Sequence, residues 1–289
     1  MNKRQKYLGL ENDCFNHAIW IYDRLYQNSK PVDIAFLGSS HTINGINDKL
    51  IEEKLKSYNL TVVNFGYCRL GRNLTFVLVK EIIKTKKPKY LVIEISKGED
   101  RFSHPVFPHI AGTFDVISAN PFFNRDLLAD IHTHLSYKIE LLQEILFKNK
   151  SVVPARTSDF GFASSADTIA MKNLEKAKTE RSKPKSELNK IEQVFFMSYP
   201  KIYFKKIHRL CRKNNIEMIF LYIPPYGTIQ FVPNEYNTYI RYGKVILPPA
   251  TLFDNPNNWH DDEHLNQNGA NEFSLYLANE FKTLLSEKK

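Results

Sequence analysis

Cysteine is scarce in this chain, with three residues in 289: Cys14, Cys68 and Cys211. They are odd in number, widely spaced and free of any C-x-x-C pair, so neither a disulfide framework nor a zinc site is supported, and buried or idle thiols are expected. Long apolar runs are missing as well. No stretch approaches the roughly 20 apolar residues of a membrane-spanning helix, and the opening Met-Asn-Lys-Arg-Gln-Lys is not followed by the apolar core of a secretory signal. The chain as given therefore reads as soluble. Acid is in the minority: Lys+Arg 40 against Asp+Glu 31 leaves a net charge of +9. The excess favours an anionic surface of nucleic acid, acidic glycan or lipid headgroup, yet no nucleic-acid motif is present, and nucleic acid is not expected as a partner. There is no internal repeat and no low-complexity tract.

What is present is an α/β pattern. A composition of 43% hydrophobic and 25% charged residues is that of a globular protein, and the length suits one α/β domain with a sizeable core. Short β-rich apolar runs at residues 33–37, 61–65 and 90–95 alternate with helical periodicity at 47–58 and 73–84. Parallel strands joined by crossover helices follow from that alternation. A helix over 201–213 with Pro200 at its opening, a fourth strand over 218–223 and a short strand over 245–247 come later, before a closing helix over 270–285. Residues 100–190 form an insertion, with a helix over 126–147 and a polar stretch over 151–189 that includes Lys183-Pro184-Lys185, read as a solvated run. Residues 1–30 read as an N-terminal helical extension, its segment 11–27 a peripheral amphipathic helix, and residues 31–289 as the main domain.

Chemistry is expected at the carboxyl ends of the strands, where loops and helix N-termini converge. The first strand ends in Gly38-Ser39-Ser40-His41-Thr42, a small turn able to lift a hydroxyl to the sheet rim. It departs from the G-x-S-x-G elbow of α/β-hydrolases, because Thr42 stands at the second glycine. Near the C-terminus, Asp261-x-x-His264 puts a carboxylate where it can hold an imidazole in one tautomer, as a general base serving a serine requires. His260 competes for that role but lacks an acid three residues before it. His104, His109, His132 and His134 fit no ligand spacing, so no metal and no cofactor is expected. The aromatics after the fourth strand, among them Tyr226, could offer a stacking face for a sugar ring.

Gly38-Ser39-Ser40, Asn64-Phe65-Gly66 and Asp261-x-x-His264-Leu265-Asn266 followed by Gly269-Ala270 together resemble the SGNH hydrolases, or GDSL-type esterases, in matching order over residues 32–285. The chain most resembles their envelope branch, which includes proteins of teichoic-acid D-alanylation and alginate acetylation. There the first motif often reads Gly-Ser-Ser and the middle of the chain is likewise expanded. The resemblance implies a three-layer α/β/α sandwich with a central parallel, flavodoxin-like sheet and a helical and loop insertion after strand three. It implies Ser40 as nucleophile, His264 as its base, Asp261 as the orienting acid, and the N–H groups of Ser40 and Gly66 in the oxyanion hole. The implied function is a serine O-acyl esterase or O-acyltransferase on a carbohydrate or envelope polymer, with membrane-associated partners; the implied setting is extracytoplasmic behind an N-terminal anchor, and cytoplasmic where no anchor precedes the chain. Hydrolysis and transfer differ only in whether water or a sugar hydroxyl attacks the acyl-enzyme, and both fit these residues. One departure stands out. The family's Gly-x-Asn-Asp after strand three is replaced by Ser96-Lys97-Gly98-Glu99-Asp100, which leaves Ser96 and the backbone near Gly98 as candidate donors and His41 and Ser96 as candidate substrate contacts. A non-catalytic protein that binds a glycan or partner through the same fold is the alternative.

Overall fold

The computed structural model describes residues 5–8, 10, 13–99, 101–118, 124–147, 158–183 and 189–287. Its apolar runs become β1 (Ile34–Leu37), β2 (Val62–Asn64), β3 (Tyr90–Ile95), β4 (Glu217–Tyr222) and β5 (Lys244–Ile246). They pair in the order β2-β1-β3-β4-β5, every neighbouring pair parallel. The register sets Phe36 beside Asn64 and Val92, and Ile95 beside Tyr222. This is a doubly wound order whose chain reverses direction across the sheet at β1, between β2 and β3, the place where such folds hold their ligands.

Side-chain alternation builds a core on each face. Ala35, Leu37, Leu91, Ile93, Met218 and Phe220 pack under the helices Asp13–Tyr26, Arg72–Thr85 and Lys190–Lys213. Ile34, Phe36, Val92, Ile219 and Leu221 pack under Asp48–Lys54 and Gln267–Ser286, through Ile51, Phe273, Leu277 and Phe281. Three layers result. Each fully buried large apolar side chain contributes about 1.5–3 kcal/mol, and both central strands, β1 and β3, are buried along their whole length.

Four expectations are corrected. The N-terminal helix is not peripheral: Trp20, Ile21, Tyr22 and Leu25 are buried in the main core, and the buried Arg24 donates to the carbonyls of Lys30, Pro31 and Asp159. Residues 13–26 therefore share the sheet's core and do not form a separate extension. Pro200 lies inside the helix Lys190–Lys213, which starts at Asn189 with a capping box to Glu192. Burial of Met197, Tyr199, Tyr203 and Phe204 on both sides of the proline carries the helix through it. The helix expected over 47–58 is Asp48–Lys54, capped by Asn47 and followed by the 3₁₀ turn Lys56–Tyr58. Finally, Cys68 is disulfide-bonded. Cys211 is a free, buried thiol whose pKa burial pushes up to about 12, and the side chain of Cys14 lies outside the described residues.

The insertion holds the expected long helix, Leu127–Phe147, and three unexpected ones: Phe107–Ile110, Thr113–Ile117 and Met171–Ser182. The last buries only Leu174 and so has no apolar stripe to betray it. Of the run 183–185 only Lys183 is described, and it pairs with Glu180 at 2.6 Å. Among the described residues no helix is long and apolar enough to cross a membrane.

Candidate active site

β1 delivers the chain to the sheet rim at Gly38, and Ser40 opens the short helix Ser40–Gly45 directly behind it. A Cβ on Gly38 would stand 2.0 Å from Thr42 Oγ1 and 2.2 Å from Glu94 Oε2, so only glycine lets the turn close. Glu94, on β3 and 3% exposed, is the centre on which the turn closes. It accepts the Ser39 N–H at 2.7 Å, the Ser39 hydroxyl at 2.7 Å and the Thr42 hydroxyl at 2.6 Å. Ser39 in turn caps the helix by accepting the His41 N–H at 3.1 Å. With residues 39 and 42 tied from below, the Ser40 side chain projects away from the core.

The other half of the site is the loop 259–266. Trp259 and Leu265 form an antiparallel bridge, and the His260 N–H donates to the His264 carbonyl at 2.9 Å, which closes a tight loop. Inside it the Asp261 carboxylate accepts the N–H groups of Glu263 at 2.8 Å and His264 at 2.7 Å. Its oxygens also stand 2.9 Å from His264 Nδ1. A carboxylate there requires the proton on Nδ1, which leaves Nε2 as an acceptor, and Nε2 stands 2.7 Å from Ser40 Oγ. Burial pushes the Asp261 carboxyl up, but the His264 ring and the two backbone N–H groups outweigh it and hold the group below its ordinary value.

Both halves are stitched together by the segment 158–170, which the sequence reading placed in a featureless polar stretch. Gly161 donates to the buried Asp48 carboxyl at 2.8 Å, and Ala163 donates to the Ile43 carbonyl at 3.2 Å on the Ser40 side. On the histidine side, the Ser164 hydroxyl donates to the Leu265 carbonyl at 2.9 Å and Gln267 N–H to the Ser165 carbonyl at 2.8 Å. Asp48 also accepts the Asn64 N–H at 2.8 Å; burial pushes its pKa up to about 6 despite the N–H groups of Gly161, Asn64 and Phe162. Behind the histidine loop, Arg181 donates to Asp262 at 2.7 Å and to the Tyr226 carbonyl at 3.0 Å.

Ser40, His264 and Asp261 are thus brought into one hydrogen-bonded line across 224 residues of sequence. His41 stands beside them, its ring 5.1 Å from that of His264 and its Nδ1 3.7 Å from Glu94 Oε1. Other candidates are placed differently. The Gly66 N–H does not face the cleft: it donates to Asn64 Oδ1 at 2.9 Å, because Asn64, two residues earlier, closes a local ring while its amide serves the carbonyls of Thr42 and Ile46. The Ser96 hydroxyl donates to the Gly98 carbonyl at 2.5 Å. Tyr226 is 5% exposed and packs edge-on against Trp259, so it supports the histidine loop from beneath and offers no stacking face. The Ser40 N–H, first in its helix, has no acceptor among the described residues.

His260 is exposed. His104, His109 and His134 each bond a backbone carbonyl, of Cys68, Pro105 and Pro108 respectively. Glu94 and Arg181 were missed from sequence, although an acid inside the otherwise apolar run Tyr90–Ile95 was a usable sign, since a carboxyl buried in a sheet has to find donors. No family model matches this chain, and no curated protein matches it.

Proposed function

We propose that this protein is a serine-dependent O-acyl esterase or O-acyltransferase of SGNH type, acting on a carbohydrate or cell-envelope polymer. The observation that carries the reading is the Ser40–His264–Asp261 line, with Nε2 at 2.7 Å from the hydroxyl and Nδ1 at 2.9 Å from the carboxylate. In this reading Ser40 Oγ attacks the ester carbonyl while its proton passes to His264 Nε2, and the tetrahedral intermediate then collapses as the imidazolium returns that proton to the leaving oxygen. Water or a sugar hydroxyl gives its proton to Nε2 in the second half-reaction and takes the acyl group from Ser40. Asp261 keeps the ring oriented and stabilises its cationic form. The unengaged Ser40 N–H, at a helix start, is the backbone donor offered to the oxyanion. The disulfide at Cys68 supports an oxidising, extracytoplasmic setting.

A second reading, a glycan- or partner-binding protein without catalysis, is favoured by one observation. With the Gly66 N–H and the Ser96 hydroxyl both engaged internally, the oxyanion has fewer donors than the resemblance implies. The two readings separate on turnover of an aryl acetate. Release of the phenol by the wild type and its loss in Ser40→Ala, with unchanged unfolding behaviour, supports the enzyme. Equal slow release by both proteins leaves the binding reading in its place.

A further inference from the structure

Asp261 holds the His264 ring by one edge, its oxygens 2.9 Å from Nδ1. The torsion that turns an imidazole on its stem is broad, so a hold on one edge leaves Nε2 free to swing. The bond between Nε2 and Ser40 Oγ restrains the ring in the resting site. In the proposed reaction that bond is gone once Ser40 is acylated, which is the stage at which Nε2 has to meet the incoming water or sugar hydroxyl. A further restraint is needed there, and His41 is placed to give it. Its ring meets that of His264 at 64° with centroids 5.1 Å apart, the edge-to-face packing that aromatic rings prefer.

The backbone that carries His41 is fixed. The His41 N–H donates to Ser39 Oγ at 3.1 Å, and Thr42, next in the helix Ser40–Gly45, donates its hydroxyl to Glu94 at 2.6 Å while its carbonyl accepts the Asn64 amide at 2.7 Å. The ring is backed as well. Its Nδ1 lies 3.7 Å from Glu94 Oε1, a contact rather than a hydrogen bond, and Glu94 is itself buried and held by Ser39 and Thr42. We infer that His41 is the positioning residue of the base. One buried carboxylate then stands behind both ends of the Ser40–His264 bond: behind the serine through Ser39 and Thr42, and behind the imidazole through the His41 ring. This inference rests on the acyl-transfer reading for its chemistry, though not for the placement of the ring. The competing role is a direct substrate contact by His41, and the two differ in what they need. A contact uses the ring nitrogens, whereas a wall against His264 uses the ring alone.

The test compares His41→Ala, which removes the wall, with His41→Phe, which keeps a ring and removes both nitrogens, in the full chain, with far-UV circular dichroism as the check on folding. In aryl acetate turnover, kcat is expected to fall at least ~10-fold in His41→Ala and to return to within about 3-fold of the wild type in His41→Phe. In proton NMR of the imidazoles, the Nδ1 proton of His264 is expected to be visible in the wild type and in His41→Phe, and lost to solvent exchange in His41→Ala. Equal losses of kcat in the two variants assign His41 to the substrate and overturn the inference. Wild-type kcat in His41→Ala overturns it too. If Ser40→Ala turns the ester over as fast as the wild type, the acyl-transfer reading is what fails, and the NMR comparison decides alone. An Nδ1 proton that persists in His41→Ala then overturns the role of His41, and its loss there with retention in His41→Phe upholds it.

Discussion

Replacing Glu94 by alanine removes, in one step, the acceptor of the Ser39 N–H, the Ser39 hydroxyl and the Thr42 hydroxyl. The two hydroxyls can turn to other acceptors, but the Ser39 N–H is fixed by the backbone and is left buried without a partner, at about 1–3 kcal/mol. The void left by the lost carboxyl and methylene adds to this, so a total near 3–5 kcal/mol is expected in equilibrium urea unfolding. Glu94→Gln keeps one oxygen for the Ser39 N–H and presents its amide to the Ser39 oxygen, so about 1–2 kcal/mol is expected. Activity should fall further than stability accounts for. Ser40, the proposed nucleophile, sits one residue after Ser39, and misplacing a reacting atom by about 1 Å costs on the order of 100-fold. The assay is aryl acetate turnover at a temperature where each variant is fully folded, set beside the unfolding free energy. An alanine variant within about 1 kcal/mol of the wild type and within a few-fold in kcat/KM refutes the claim that Glu94 holds the nucleophile turn.

Three other predictions can be checked with the same protein. Asp261→Asn should leave the fold intact and lower kcat on the order of 10⁴-fold, because an amide no longer enforces the Nδ1–H tautomer; a loss under ten-fold would contradict the assigned role. Arg181→Ala frees Asp262 and the Tyr226 carbonyl behind the histidine loop, and a fall of about ten-fold in kcat with little change in melting temperature is expected from steady-state kinetics and calorimetry. Asp48 and His104 make opposite contributions to acid stability. The folded-state pKa of Asp48 is raised from 3.8 to about 6, chiefly by burial, so its contribution is present below 3.8 and lost as pH rises through about 6. That of His104 is lowered from 6.5 to about 4 by burial, so its contribution is present above 6.5 and lost as pH falls through about 4. In the wild type the two slopes oppose one another across the shared window. Asp48→Asn removes one of them, and unfolding free energy should then climb with pH by up to about 1.4 kcal/mol per unit over that window; an unchanged profile contradicts the assignment.

How much of this was legible in the sequence depends on whether a feature is periodic. The strands and the helices Arg72–Thr85 and Gln267–Ser286 announce themselves because their apolar residues recur at the spacing of one buried face. Ser40 and His264 were legible because the residues beside them are constrained locally: Gly38 by the approach of Thr42, Asp261 by the tight loop, and Asn266 by its cap on Asn268 and Gly269. Features fixed by partners distant in the chain were not legible. Glu94 looks like an interruption in a strand until the Ser39 turn folds onto it, and the segment 158–170 has no apolar period because backbone groups and the Ser164 and Thr168 hydroxyls make its bonds to the two halves of the site. The Gly66 N–H was misread for a related reason, since the motif fixes the backbone path but not which acceptor, Asn64 or a ligand, receives the proton. Pro200 marks a helix start in isolation, and here tertiary burial overrides it.

The central claim is that the hydroxyl of Ser40 is the acyl acceptor of an enzyme, and intact-mass spectrometry with peptide mapping after brief exposure to an activated acetyl ester tests it most directly. The account predicts one added acetyl group on the peptide containing Ser40, absent in Ser40→Ala and sharply reduced in His264→Ala. An unmodified Ser40 under conditions of measurable turnover, or acetyl groups scattered over surface lysines at equal levels in all three proteins, would contradict it.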